Sequence, residues 1–138
     1  MIFRRFGNMF YSTVKFSDEF FGTIVKEPYT SNNKWYISII FDDVTCAKVT
    51  EYEHSFETQE NVKLQKTFHD NVIVLKMPYR YNRFECKAYD NDGDPITCYE
   101  LKEGSKVTVE IEHACFSNQD ENILSTWKLK KIILHEGS

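Results

Sequence analysis

The sequence predicts an all-β fold, and three observations carry that expectation. Apolar residues recur with a period of two through most of the chain. Short runs of Gly, Pro, Asn and Asp separate those stretches where a chain reversal needs them. No segment shows a convincing helical stripe; residues 55–68, "SFETQENVKLQKTF", are the one candidate for a short helix, and their apolar spacing is poor. Many short strands separated by turns mean a sandwich or a small barrel. With 138 residues, 41% hydrophobic and 15% aromatic, the chain reads as a single domain over 1–138. A core can form at that size without help from a metal or a disulfide.

Taken in order, "FYSTVKF" alternates Phe10, Val14 and Phe16 against Tyr11, Thr13 and Lys15. "EPYTSNN" then supplies a reversal. "KWYISIIF" sets Trp35, Ile37, Ile39 and Phe41 on one face and Tyr36, Ser38 and Ile40 on the other. The apolar face assigns Trp35 to the core and leaves Tyr36 outside as the better stacking ring. "NVIVLKM" is continuously apolar, as a strand buried on both faces would be. "SKVTVEIEH" alternates cleanly, with Val107, Val109 and Ile111 inward. "STWKLKKIIL" closes the pattern with Trp127, Leu129 and Ile133 inward, interleaved with Lys128 and Lys130.

Several kinds of chemistry find no residues here. No apolar run approaches bilayer length. "MIFRRFGNMF" lacks the apolar core and cleavage site of a signal peptide. The four cysteines (Cys46, Cys86, Cys98 and Cys115) have no C-x-x-C spacing, and no N-x-S/T sequon occurs. The expectation is reduced cysteines in an intracellular, non-secreted protein without membrane contact. "DNDGDP" begins like a calcium loop, but Gly93 comes fourth, Pro95 sixth, and Leu101 stands where the bidentate carboxylate belongs. A tight turn explains it better. His113 and Cys115 with Cys86 and Cys98 make a poor zinc set. No nucleophile elbow, phosphate loop or dinucleotide fingerprint is present. We therefore expect no metal, no cofactor and no enzymatic activity.

Charge is organised in blocks. The net charge is −4, but residues 1–17 carry +3, 18–62 carry −6, 63–87 carry +4, 88–125 carry −7 and 126–138 carry +2. A positive strip between negative flanks can hold one anionic strand while the rest of the surface repels non-specific contacts. That strip contains Lys76, Tyr79, Arg80, Tyr81, Arg83, Lys87 and, just beyond it, Tyr89. Read as one strand, residues 79–89 place Phe84, Cys86 and Ala88 inward and Tyr79, Tyr81, Arg83, Lys87 and Tyr89 outward. Rings that stack bases beside cations that follow the backbone are what single-stranded nucleic acid needs.

"YELKEGSKVTVEIEHACF" followed by a polar loop and "STWKLKKIIL" resembles the closing strand pair of the OB-fold single-stranded-DNA-binding proteins of large DNA viruses and phages. "LKMPYRYNRFECKAYDNDGDPI" resembles their central strands. The likeness covers residues 71–134. It implies a small OB-type Greek-key barrel that coats single-stranded DNA during viral replication or recombination, at the host-cell replication site. It further implies self-association along the strand and contact with replication proteins. By the same resemblance Lys76, Tyr79, Arg80, Tyr81 and Arg83 line the groove, Trp127 matches the family tryptophan, and Lys128 and Lys130 flank it. The chain ends "LHEGS" where many phage members carry an acidic tail. RNA remains open as a ligand, since stacking platforms accept either. The alternative is a β-sandwich interaction or structural module whose Tyr and Arg residues form a protein interface.

Overall fold

The structure is a computed structural model describing residues 2–6, 9–15, 19–60, 68–117 and 123–135, with side chains within 19–58, 69–113 and 126–135. The first half holds β1 (Ile2–Phe6), β2 (Met9–Lys15), β3 (Phe20–Ser31), β4 (Lys34–Phe41) and α1 (Asp43–Glu60). The second half holds β5 (Phe68–His69), β6 (Val72–Met77), β7 (Tyr79–Arg80), β8 (Arg83–Phe84), β9 (Lys87–Tyr89), β10 (Lys106–Ser117) and β11 (Ile123–Leu134).

Five strands close into a barrel. β3 pairs with β4, β4 with β6, β6 with β11, β11 with β10, and β10 with β3 again. All these pairs are antiparallel except β6–β11, which is parallel. Taken in chain order, the barrel strands lie side by side as first, second, third, fifth, fourth. This is a small OB-type barrel with one helix. The sheet closes on itself, so the sandwich alternative does not describe it. The β1–β2 hairpin extends the far half of β10, and β9 adds to the far half of β11.

The barrel closes because the period-two residues meet inside it. Ile37 and Ile39 of β4 stand opposite Leu75 and Ile73 of β6, and all four are fully buried. Val107, Val109 and Ile111 are buried, as expected. Gly22 lets β3 pass close to β4: a Cβ there would lie 2.6 Å from Ile39 Cγ2 and 2.8 Å from the Ile40 carbonyl oxygen. No larger residue fits without moving backbone.

Two strand readings change. β6 is not buried on both faces; Val74 is 41% exposed, so only Ile73, Leu75 and Met77 face the core. On β11 the inward residue is Ile132, not Ile133. Glu110 pairs with Lys131 while Ile111 pairs with Leu129, which leaves Lys130 in a bulge and shifts the inward phase by one.

The helix also differs from expectation, starting at 43 rather than 55 and ending within the described residues at 60. The Asp42 carboxylate accepts the Thr45 backbone N–H at 2.7 Å and caps its first turn. That hydrogen bond holds the Asp42 carboxyl below its usual range. The buried stripe is Thr45, Cys46, Val49, Glu53 and Phe56, at helical spacing but with polar members. It seats on Trp127 and His113, where β11 begins and β10 nears its end. The connection from β6 to β10 buries Cys86, Ala88, Cys98 and Leu101 in the same core. The faces expected for Phe10, Val14 and Phe16, and any role of Cys115, lie outside the described side chains. So does the 61–67 part of the expected helix.

Candidate nucleic-acid interface

Strand register lines up one row of outward side chains across the barrel. Tyr29 of β3 is opposite Tyr36 of β4, Tyr36 is opposite Lys76 of β6, and Lys76 is beside Lys128 of β11. The Tyr29 and Tyr36 rings lie 5.9 Å apart, and the Lys26 ammonium sits 4.0 Å from the Tyr29 centroid. Lys34 opens β4 directly after the turn in which Asn32 and Asn33 both take positive φ. Lys76 is half-buried. Burial first, then the like charges of Lys34 and Lys128, hold its ammonium pKa below the usual lysine value. Among the described residues the ion pairs run through other cations: Arg80–Glu85, Lys102–Glu27, Lys130–Glu112 and Lys131–Glu19. Even Glu112, the register neighbour of Lys128, directs its carboxylate to Lys130 at 3.5 Å.

These lysines line a hollow of about 320 Å³, together with Trp35, Tyr79 and Arg80. Four cations face one carboxylate there, that of Glu85. Beside it stands an aromatic cluster. The Trp35 ring centroid is 5.1 Å from that of Phe84 and 6.0 Å from those of Tyr79 and Tyr99. Tyr79 and Phe84 are 5.0 Å apart, as their cross-strand pairing dictates. Trp35 and Phe84 pack onto the core, whereas Tyr79 and Tyr99 are 39% and 55% exposed. A hydrogen bond with Tyr79 pushes the Tyr99 phenol above its ordinary pKa. Trp35 is thus core on one side and the floor of a surface cluster on the other.

The single strand expected over 79–89 is broken. β7 and β8 form a two-residue hairpin in which Tyr81 and Asn82 take φ of 55° and 63°. Arg80 therefore pairs with Arg83, Tyr81 sits at the tip with 86% exposure, and no flat Tyr–Tyr–Arg face exists. The inward half of the reading stands: Cys86 and Ala88 are buried, and Phe84 packs against the core. The physical reason is Asn82, which tolerates positive φ and lets the chain reverse.

Lys87, Tyr89 and Lys130 belong to a second hollow, of about 630 Å³. It is larger, but Lys87, Lys130 and Lys131 are matched there by Glu85, Asp90 and Glu110. Glu85 forms the lip between the two hollows. The structure thus gathers Tyr36, Lys76, Tyr79, Arg80 and Lys128 on one basic face. It sets Lys87, Tyr89 and Lys130 apart in charge-balanced surroundings, with Tyr81 and Arg83 on the hairpin.

Lys34 and Tyr99 escaped the sequence reading. Lys34 could have been found, since the "NN" turn fixes the hairpin register that brings it to this face. Tyr99 lies in a short 3₁₀ turn, Cys98–Glu100, with no periodic signal. "DNDGDP" is a turn: the Asp90 carboxylate accepts the backbone N–H groups of Asp92 and Asp94 at 3.0 and 2.9 Å. Cys46, Cys86 and Cys98 are free and buried. The Cys86 and Cys98 sulfurs lie 3.7 Å apart, and this hydrogen bond, with burial, pushes the Cys86 thiol up. His113 packs against Tyr52 and Phe56 of the helix and against Trp127. Among the described residues no helix is long and apolar enough to cross a membrane. Comparison with protein-family models, curated protein sequences and solved structures finds no match.

Proposed function

We propose that the chain is a non-enzymatic single-stranded-DNA-binding protein, which lays the strand across the outer face of β4, β6 and β11. One observation carries this reading: an exposed aromatic cluster beside four cations that face a single carboxylate. Bases stack on the Tyr79 and Tyr99 rings while Lys34, Lys76 and Lys128 take the phosphates. The second and third strands of an OB barrel are its usual oligonucleotide face, and here they are β4 and β6. The likeness of residues 71–134 to viral and phage single-stranded-DNA-binding proteins points the same way and suggests coating during replication or recombination. Binding of labelled oligo(dT), oligo(U) and a duplex of equal length, at two salt concentrations, tests it. Oligo(dT) should bind more tightly than duplex and weaken steeply with salt. Equal affinity for both would sink the stacking role, and a salt-independent contact would mean a protein interface instead.

A further inference from the structure

Lys34, Lys76 and Lys128 line one basic hollow from three neighbouring strands, β4, β6 and β11. Bringing like charges together around a half-buried ammonium is unfavourable unless a ligand compensates them. Arg80 lines the same hollow but is held by Glu85 at 3.7 Å, so the three lysines carry the uncompensated charge. A phosphodiester within a continuing strand brings one negative charge and leaves most of that excess in place. A phosphate monoester brings nearly two at neutral pH and three acceptor oxygens. Ammonium groups are compact charges with rotatable donors, so three of them can each meet a different oxygen without the planar geometry a guanidinium demands. The Trp35 and Tyr79 rings line the same hollow, where a nucleoside attached to that phosphate would lie.

We infer that Lys34, Lys76 and Lys128 seat a phosphate monoester, the terminal phosphate of a strand, in preference to the diester of a continuing one. This rests on the single-stranded nucleic-acid reading above. The site then recognises strand ends, and coating would start from them.

The experiment compares three oligo(dT) probes, carrying a 5′-phosphate, a 3′-phosphate or two hydroxyl ends, by fluorescence anisotropy. One phosphorylated probe should bind about tenfold more tightly than the hydroxyl probe, the scale of added charge-assisted hydrogen bonds. Which end gains fixes the polarity of the bound strand. In Lys128→Gln and Lys34→Gln the gain should fall to about twofold or less. Equal affinity for all three probes overturns the inference, as does a gain that survives both substitutions. A second arm adds dTMP or thymidine to the labelled protein and follows backbone amide shifts. Shifts at Lys34, Lys76 and Lys128 with dTMP alone support the seat; no shift overturns it. Failure of every oligonucleotide to bind, with dTMP shifts present, overturns the nucleic-acid reading and leaves the phosphate seat standing.

Discussion

Trp127 donates its indole N–H to the Glu53 carboxylate at 3.2 Å, joining the last barrel strand to the helix that closes its end. Both residues are buried, and Tyr52, Phe56 and His113 complete the surroundings. The tryptophan that resembles a family landmark is therefore a structural keystone, not a surface for bases. Trp127→Ala should destabilise folding by about 3–5 kcal/mol through the cavity it leaves. Trp127→Phe should cost less in volume but leave Glu53 without its indole donor. Thermal melts of both variants check this, and a folded Trp127→Ala that loses only oligonucleotide affinity would overturn the assignment.

The same end of the barrel makes stability depend on pH. Burial holds His113 at a pKa of about 4, below its ordinary 6.5, and the Tyr52 hydroxyl lies 2.9 Å from Nδ1. The folded state favours the neutral ring, so the unfolded chain binds more protons as pH falls below 6.5. Stability contributed above that pH is lost progressively down to about pH 4, by roughly 3 kcal/mol in total. Chemical denaturation at several pH values should show this slope, and His113→Gln should flatten it. An unchanged slope in the variant would assign the acid sensitivity to groups other than His113.

The barrel strands were legible because their inward residues are consistently apolar: Ile37, Ile39, Val107, Val109 and Ile111 announce two faces with no competing signal. The helix was not, since Thr45 and Glu53 occupy its buried stripe while Val44 is exposed. Its cap, Asp42 three residues before Thr45, was the readable clue. One residue misplaced the end of β11, because the bulge at Lys130 reverses the phase and nothing in "WKLKKIIL" marks it. The candidate face was half legible. The sequence places Tyr36, Lys76 and Lys128 on separate strands, but their grouping with Lys34 follows only from register. Linear charge counts group Lys87, Tyr89 and Lys130 with them, because they cannot see Asp90 and Glu110 lining the same hollow.

That difference between the two hollows is measurable. Removing a phosphate-contacting cation should reduce the log-log salt slope for a single strand by about 0.7. Lys76→Gln and Lys128→Gln should each show that reduction for oligo(dT). Lys87→Gln and Lys130→Gln should change it little, because carboxylates already balance their charges. Equal reductions from all four would mean that the strand crosses the Glu85 lip and runs through both hollows.

Tyr81 offers the sharpest separation of binding from stability. Among the described residues three two-residue turns take positive φ, at Asn32–Asn33, Asp70–Asn71 and Tyr81–Asn82. Five of those six positions hold Asn or Asp, which tolerate the left-handed region; Tyr81, at φ 55°, is the exception. Holding a bulky residue there costs about 1–2 kcal/mol, and 86% exposure shows that core packing does not compensate it. A ring kept at the hairpin tip against backbone preference suits a base-stacking role. Tyr81→Asn should therefore stabilise the protein by up to about 1 kcal/mol while weakening oligo(dT) binding by about 1–3 kcal/mol. Melting and titration of the one variant read both effects. Higher stability with unchanged affinity would remove Tyr81 from the interface and confine stacking to Tyr79 and Tyr99. Lower stability would mean that the ring packs on a neighbour, and the strain would no longer point to function.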